Sequence, residues 1–140
     1  MRFAGRVFKV GKFWAVEVPI LELVTQGRTK KEALEMIADA VESLVNKRDF
    51  KVDVFPGSAD HFEIGSTDQA TLTALLLRRA RQSAGLSLAQ VAERLGSPSL
   101  NAYARYEQGR SVPTVQKLSQ LFAAVTSRHD FVLSTSQSRS

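Results

Sequence analysis

The chain has 140 residues, of which 44% are hydrophobic, and a formal net charge of +5. This length fits one domain or two small ones, and the apolar content favours a packed core over a disordered tail. The absence of cysteine excludes disulfides, thiolate metal sites and thiol nucleophiles. No apolar run approaches the roughly 20 residues of a membrane span and no signal-peptide core follows the first residues, so we expect a soluble cytoplasmic protein.

Alternation of apolar and polar residues predicts four short strands in the first half of the chain, at residues 2–10, 13–18, 21–26 and 50–55. The dipeptide Gly11-Lys12 favours a hairpin between the first two. Between the third and fourth strands, a helix is predicted to begin after Thr29 and to run to about Asn46. Glu32 stands three residues beyond Thr29, which is the capping-box spacing. This half is therefore predicted to be a β-β-β-α-β unit, a small sheet with one covering helix.

The composition changes between Pro56 and Asp68, where two turn-rich stretches flank residues 61–64. We place the domain boundary near residue 66, which gives domains of 1–66 and 67–140. The first domain has equal numbers of basic and acidic side chains, so the whole excess of positive charge belongs to the second. A positive domain attracts phosphate without regard to base sequence.

Residues 86–109 predict two short helices joined by a tight turn. Ser87 can cap the first helix, Gly96 follows its end, and Ser97-Pro98 suits the start of the second. The inner faces are predicted to consist of Leu88, Val91, Ala92 and Leu95 in the first helix and Leu100, Tyr103, Ala104 and Tyr106 in the second.

Three residues of the second helix, Asn101, Ala102 and Arg105, are left pointing outward. Asparagine can bond an adenine edge, arginine a guanine edge, and an alanine methyl can touch a thymine methyl. The alternative is a solvated face of an ordinary helical hairpin, but the capped pattern lies within a basic four-helix segment, which favours DNA reading. A last helix is predicted at about residues 113–125, with a core face of Leu118, Leu121, Phe122 and Val125. Residues 130–133 are β-prone and pair either with a symmetry mate or with the first domain.

Four segments carry a family resemblance: Arg-Gln-Ser-Ala-Gly-Leu-Ser at 81–87, Ala-Glu-Arg-Leu-Gly at 92–96, Tyr-Ala-Arg-Tyr-Glu-Gln-Gly-Arg at 103–110 and Val-Pro-Thr-Val-Gln-Lys-Leu at 112–118. With them, residues 71–125 resemble the lambda-repressor/Cro-like (XRE-type) helix-turn-helix family. The resemblance implies a structural ion pair between Arg81 and Glu107.

The predicted DNA contacts form two groups. The base-reading residues are Ser99, Asn101, Ala102 and Arg105, and the phosphate contacts are Gln108, Arg110, Ser111 and Lys117. Because one recognition helix reads only a few base pairs, we expect a homodimer or a higher homo-oligomer on double-stranded DNA.

The first domain lacks a recognisable catalytic constellation. Its carboxylates at Glu17, Glu22, Asp39 and Asp53 fit solvated faces better than a two-metal site. The two histidines, His61 and His129, lack neighbours at ligand spacing, and there is no phosphate-binding glycine loop or dinucleotide fingerprint. We therefore predict no enzyme activity, no metal and no cofactor.

A second resemblance rests on residues 10–19, on residues 23–29 and on the helix at 31–40. Its most diagnostic part is Thr25-Gln26-Gly27-x-Thr29, followed after two residues by Glu32-Ala33. Over about residues 1–56 the chain resembles HicB antitoxins. The resemblance implies a partial ribonuclease-H-like fold without catalytic carboxylates, which binds and masks a basic, mRNA-cleaving toxin of the HicA type.

Candidate toxin contacts are the aromatic anchors Phe8, Phe13 and Trp14 and the acidic residues Glu32, Glu35, Asp39 and Glu42. Trp14 fits core packing as well as a role as an anchor. The predicted fold class is thus α+β, with an all-α helix-turn-helix domain at the C-terminal end, and the predicted function is an antitoxin that represses its own operon. The alternative is a helix-turn-helix regulator with a ligand-sensing first domain, although a unit of this size leaves little room for a pocket.

Overall fold

The computed structural model describes residues 1–96, 100–126 and 130–136. The chain forms two compact units, of which the first comprises Met1–Asp68 with tail residues 134–136 and the second comprises Gln69–Leu133. The break thus falls two residues beyond the predicted boundary at residue 66. The described tail residues, which the prediction placed in the second domain, group with the first unit because Ser136 hydrogen-bonds side chains there.

The first unit is a five-stranded antiparallel sheet in the order β3-β2-β1-β5-β4, covered by one helix. Its elements are β1 (Phe3–Val10), β2 (Phe13–Val18), β3 (Leu23–Gly27), helix α1 (Lys30–Val45), β4 (Asp53–Pro56) and β5 (His61–Gly65). The third strand begins later than the predicted 21–26, because Pro19–Leu21 forms a 3-10 turn and Glu22 then adopts φ +51°. The fourth strand likewise begins at Asp53 rather than residue 50.

Burial alternates along β1 and β2 and shows which face of the sheet α1 covers. Val7 lies opposite Val16 and both are buried, as are Ala33, Ile37 and Val41, which form one stripe along α1. A Cβ at Gly27 would lie 2.5 Å from the backbone nitrogen of Ala33, so α1 passes directly over β3. The opposite face of the sheet, which α1 does not cover, carries Phe8, Val10 and Phe13 among others.

The predicted β-β-β-α-β order is incomplete, because residues 61–64 belong to a fifth strand. This strand lies between β1 and β4, and its residues 62–65 are all buried, which removes the alternation that identifies a strand with one solvated face. Glu63 is only 5% exposed; its carboxylate accepts hydrogen bonds from Arg2, at 3.2 Å, and Ser136. The α+β class is confirmed.

The second unit consists of four helices: α2 (Gln69–Ser83), α3 (Leu88–Arg94), α4 (Leu100–Glu107) and α5 (Val115–Val125). One residue or more from each helix enters a common core of Leu77, Val91, Tyr103, Leu121 and Val125. The helix predicted at 113–125 is confirmed and begins two residues later, since Thr114 is its N-cap.

Residues 130–133 form no strand within the described chain. Instead, Phe131 stacks on Phe122 of α5, with ring centroids 4.1 Å apart. None of the helices in the described ranges is long and apolar enough to cross a membrane.

Candidate nucleic-acid interface

The helix α3 is closed at its start by a reciprocal capping box. The amide N–H of Gln90 donates to the Ser87 hydroxyl at 3.1 Å, and the amide N–H of Ser87 donates to the Gln90 side-chain oxygen at 2.8 Å. Ser87 was predicted as the cap, but the role of Gln90 was not, although Ser-x-x-Gln is a capping-box pattern. After α3, Gly96 adopts φ +67°, as predicted for a residue just past a helix end.

The predicted restart at Ser97-Pro98 and the predicted base contact Ser99 lie outside the described residues. The following helix, α4, presents two different sides. Tyr103 and Ala104 are buried, and Tyr106 packs against the core. The outward residues are exposed, namely Asn101, Ala102 and Arg105. The structure thus brings three of the four predicted base-reading residues to one solvent-facing side of α4.

An ion pair fixes the end of α4 to α2. The guanidinium of Arg81 donates to both carboxylate oxygens of Glu107, at 2.8 and 3.0 Å, and a third bond runs to the carbonyl of Leu86 at 2.9 Å. The hydrogen bond to Glu107 raises the pKa of Arg81 above its ordinary value. Arg81 and Glu107 therefore form a structural ion pair. Through it and the bond to Leu86, the Arg81 guanidinium links α2 to α4 and to the turn before α3.

Tyr103 is the central buried side chain of α4, at 1% exposure. Its hydroxyl has no hydrogen-bond partner of acceptable geometry among the described residues. Burial is the main cause that raises the pKa of Tyr103 well above its ordinary value, and the nearby Glu107 carboxylate raises it further. The hydroxyl therefore stays neutral.

The predicted phosphate contacts surround the end of α4 and the start of α5. Gln108 and Arg110 are exposed, whereas Ser111 and Lys117 are half-buried. Between them Gly109 adopts φ +71°, and a Cβ there would touch Thr71 of α2 at 3.4 Å. Thr71 had no assigned role in the sequence analysis, because a contact between residues so distant in sequence leaves no local pattern.

The candidate toxin contacts do not form one surface. Phe8 and Phe13 lie on the sheet face that α1 does not cover, while Trp14 lies half-buried on the α1 side, opposite Gly27. The acidic residues lie on α1, and Glu35 and Asp39 are exposed there.

The other two acidic residues of α1 have structural partners. Glu32 accepts from the backbone N–H of Arg28 at 3.4 Å, and its own N–H donates to the capping hydroxyl of Thr29 at 3.0 Å. The sequence placed Thr29 correctly as the N-cap, but the return bond of the box reaches Arg28 instead of Thr29. Glu42 accepts from the N–H of Val52 at 2.9 Å and so anchors the segment that leads into β4.

In the part of the chain that the structure describes, no three His, Asp or Glu side chains are grouped so that they could hold a metal ion. A family model described as a helix-turn-helix domain matches residues 74–125. No curated protein matches the chain. The matched range contains α3, α4 and α5 and most of α2, so this part of the chain is a helix-turn-helix DNA-binding region.

Proposed function

We propose that this protein is a sequence-specific repressor of its own operon and, through its first unit, the antitoxin of a HicA-type toxin. The observation that carries the DNA-reading half is the exposed row of Asn101, Ala102 and Arg105 on α4. Because Glu107 already neutralises Arg81, Arg105 remains available on the outward face for a guanine edge.

The surrounding residues supply the phosphate contacts that set the register of α4 in the major groove. Gln108 and Arg110 are exposed at the helix end, and Ser111 and Lys117 lie near the start of α5. Ser99 extends the base-reading set towards the start of α4. The protein is expected to bind as a homodimer or higher homo-oligomer, in the cytoplasm, without a cofactor.

The experiment compares Arg105→Ala with Arg110→Ala on DNA selected from a random library by the full chain. Arg105→Ala is expected to cost about 1–3 kcal/mol on the selected site and to relax preference at one or two base positions. Arg110→Ala, the matched loss of one arginine, is expected to weaken binding equally on selected and scrambled DNA. Both affinities are measured by anisotropy at one fixed salt concentration, because phosphate contacts depend on salt.

If Arg105→Ala weakens binding equally on all DNA, Arg105 contacts phosphate and the proposed base contact is wrong. If the library yields no preferred sequence, the repressor proposal fails.

The antitoxin half is supported by the residues that carry the HicB resemblance and by what they do in the fold. Gly27 allows α1 to pass over β3, and Thr29 caps α1. The motif residues therefore form the β3–α1 junction, and this supports the proposed partial ribonuclease-H-like unit.

Charge distinguishes between the two candidate toxin surfaces. A basic toxin is attracted by the exposed carboxylates of Glu35 and Asp39 on α1. The sheet end that bears Phe13 carries Lys9 and Lys12 and would repel such a toxin. We therefore place the toxin on the solvent-facing side of α1.

Co-expression of the full chain with the small open reading frame beside its gene tests this role. The wild type is expected to restore growth and to co-purify with the toxin. Glu35→Lys combined with Asp39→Lys should weaken both the restoration of growth and the co-purification. Asp49 is an exposed acidic residue outside α1, and Asp49→Lys should weaken neither. A lone oligomer that leaves the toxicity unchanged would rule out the antitoxin role and favour a ligand-sensing regulator.

A further inference from the structure

One end of the sheet in the first unit collects positive charge that the fold does not use. Lys9 lies near the end of β1 and Lys12 in the β1–β2 turn, and β3 ends beside them, because Gly27 pairs with Trp14. Arg28 follows β3, and α1 then begins with Lys30 and Lys31. We name this set of five cations, together with Phe13, the hairpin-end patch. All six side chains are exposed.

The cations of the hairpin-end patch lack acidic partners. Among the residues that the structure describes, none forms an ion pair with any of the five; Lys30 donates to the carbonyl of Ala59 at 3.4 Å. Two carboxylates at this end of the unit have other contacts, since Asp60 pairs with Arg6 at 2.8 Å and Glu32 bonds a backbone N–H. Glu35 lies one helical turn from Lys31 and forms no ion pair with it among the described residues. The first unit is neutral as a whole, yet this end of it is positive.

The position of two of these lysines is unfavourable for the isolated fold. Lys30 and Lys31 occupy the first turn of a 16-residue helix, at the positive end of its dipole, where acidic residues are preferred. Local rules of stability are most often broken at functional sites. The electrostatic conflict is relieved if an anion binds next to these side chains.

An exposed aromatic ring lies within the same patch. Phe13 is 47% exposed and pairs across the hairpin with Val10, which is 55% exposed, on the sheet face that α1 does not cover. Lys9 lies on the α1 side, so a single strand that contacts both Phe13 and Lys9 crosses the end of the sheet from one face to the other. Cations that follow a phosphate backbone, combined with an aromatic ring on which a base stacks, are the features that bind single strands. In a duplex the bases are already stacked, and the ring would find no free face.

From this arrangement we infer that the hairpin-end patch binds single-stranded nucleic acid, RNA or DNA, with Phe13 stacking on a base and the cations contacting phosphates. This inference does not depend on the proposed function, because none of these residues lies in the helix-turn-helix region and the proposed toxin surface lies at Glu35 and Asp39 of α1 instead. It gives the first unit a nucleic-acid site separate from α4.

The test uses the full chain with labelled twelve-nucleotide oligo-U and oligo-dT and a duplex of the same length, read by fluorescence anisotropy. Lys12→Gln combined with Arg28→Gln removes one lysine and one arginine from the patch. Lys51→Gln combined with Arg48→Gln removes the same pair of residue types from exposed positions between α1 and β4. The net charge of the two variants is identical.

The patch variant is expected to bind single strands about tenfold more weakly at low salt, while the control variant binds like the wild type. In a plot of the logarithm of the binding constant against the logarithm of the salt concentration, the slope for the patch variant should be shallower by about 1.4. Phe13→Leu should weaken binding about fivefold or more, and Phe13→Tyr should restore it, because tyrosine also stacks. Arg105→Ala should leave single-strand binding unchanged. The oligo-U and oligo-dT arms show which single strand is preferred.

Four results would overturn the inference. Equal weakening by both charge variants would mean that only net charge matters. An unchanged affinity of Phe13→Leu for single strands would show that Phe13 does not stack on a base. Weaker single-strand binding by Arg105→Ala would show that the strand binds at α4. A wild-type protein that prefers the duplex through the hairpin-end patch would contradict it as well.

Discussion

The hydroxyl of Tyr103 lies in the core of the helix-turn-helix region and has no hydrogen-bond partner among the residues that the structure describes. A buried polar group that makes no hydrogen bond lowers the stability of the folded state by about 1–3 kcal/mol relative to a satisfied one. The remainder of the ring fills the centre of the core beside Leu77 and Val91 and cannot be removed without leaving a cavity.

We therefore expect Tyr103→Phe to leave the free energy of unfolding unchanged or to raise it, while Tyr103→Leu lowers it by leaving space unfilled. Urea unfolding followed by circular dichroism measures both. If Tyr103→Phe lowers the free energy of unfolding by more than about 1 kcal/mol, the hydroxyl bonds Glu107 in solution.

At the scale of elements, the β3–α1 junction depends on one missing side chain. The hypothetical Cβ of Gly27 meets the backbone of Ala33 at 2.5 Å, and the backbone of a helix cannot rotate away as a side chain can. The glycine in β5, Gly65, differs in this respect, since its nearest neighbour is the flexible side chain of Arg2 at 3.3 Å.

Gly27→Ala is therefore expected to lower the free energy of unfolding by about 3 kcal/mol, at the upper end of what an overpacked core loses. Gly65→Ala serves as the matched control and should lose much less, because its methyl group would meet side-chain atoms of Arg2 and Phe55 at 3.3 and 3.4 Å instead of a helix backbone. Equal losses in the two thermal melts would show that α1 can move away from β3.

A second element-scale contact joins β1 to the turn before β5. In this contact the Arg6 guanidinium donates a hydrogen bond to the Asp60 carboxylate, and this bond lowers the pKa of the Asp60 carboxyl below its ordinary value. A carboxyl whose folded-state pKa lies below the unfolded one stabilises the fold at pH values above the unfolded pKa. That contribution is lost as the pH falls through the folded pKa.

Arg6→Ala should consequently raise the pKa of Asp60 towards about 3.9. The wild type should be more stable than Arg6→Ala above this pH, and the difference between their free energies of unfolding should shrink as the pH falls below it. Carboxyl carbon NMR follows the titration directly, and Arg6→Lys, which retains the charge, should keep part of the shift. An identical Asp60 midpoint in wild type and Arg6→Ala would show that the pair does not persist in solution.

The sequence specified the elements whose signals are local. Thr29 and Ser87 marked the starts of helices, Gly96 marked an end, and the outward side of α4 followed from its helical period. The fifth strand was missed because β5 is a central strand, so Phe62 and Glu63 are both buried and the alternating pattern is absent. The buried Glu63 contacts His61 two residues away, but two of its other partners, Arg2 and Ser136, are 61 and 73 residues away, and no local window contains them.

At the scale of the whole molecule, the recognition residues limit how DNA is bound. One α4 offers three exposed side chains that we propose to read bases, too few to select a single site among the many in a genome. A symmetric pair of chains doubles the number of base pairs that are read.

We expect DNA selected by the full chain to contain two inverted half-sites whose centres lie about 10 base pairs, or a multiple of that, apart. Insertion of five base pairs between them should weaken binding by about tenfold or more, because one α4 then faces the wrong side of the duplex. Insertion of ten should restore part of the affinity. Equal affinity for all three spacings would show that each chain binds its half-site independently.

The aromatic residues are divided between the two units. The single tryptophan, Trp14, lies in β2 of the first unit, and both tyrosines, Tyr103 and Tyr106, lie in α4 of the second. Emission excited at the red edge of the spectrum therefore reports only on the sheet, while the tyrosine bands, separated from the tryptophan band in the derivative absorbance spectrum, report only on α4. The chain carries a separate intrinsic optical reporter in each unit, so denaturation of one can be followed independently of the other without attaching a dye.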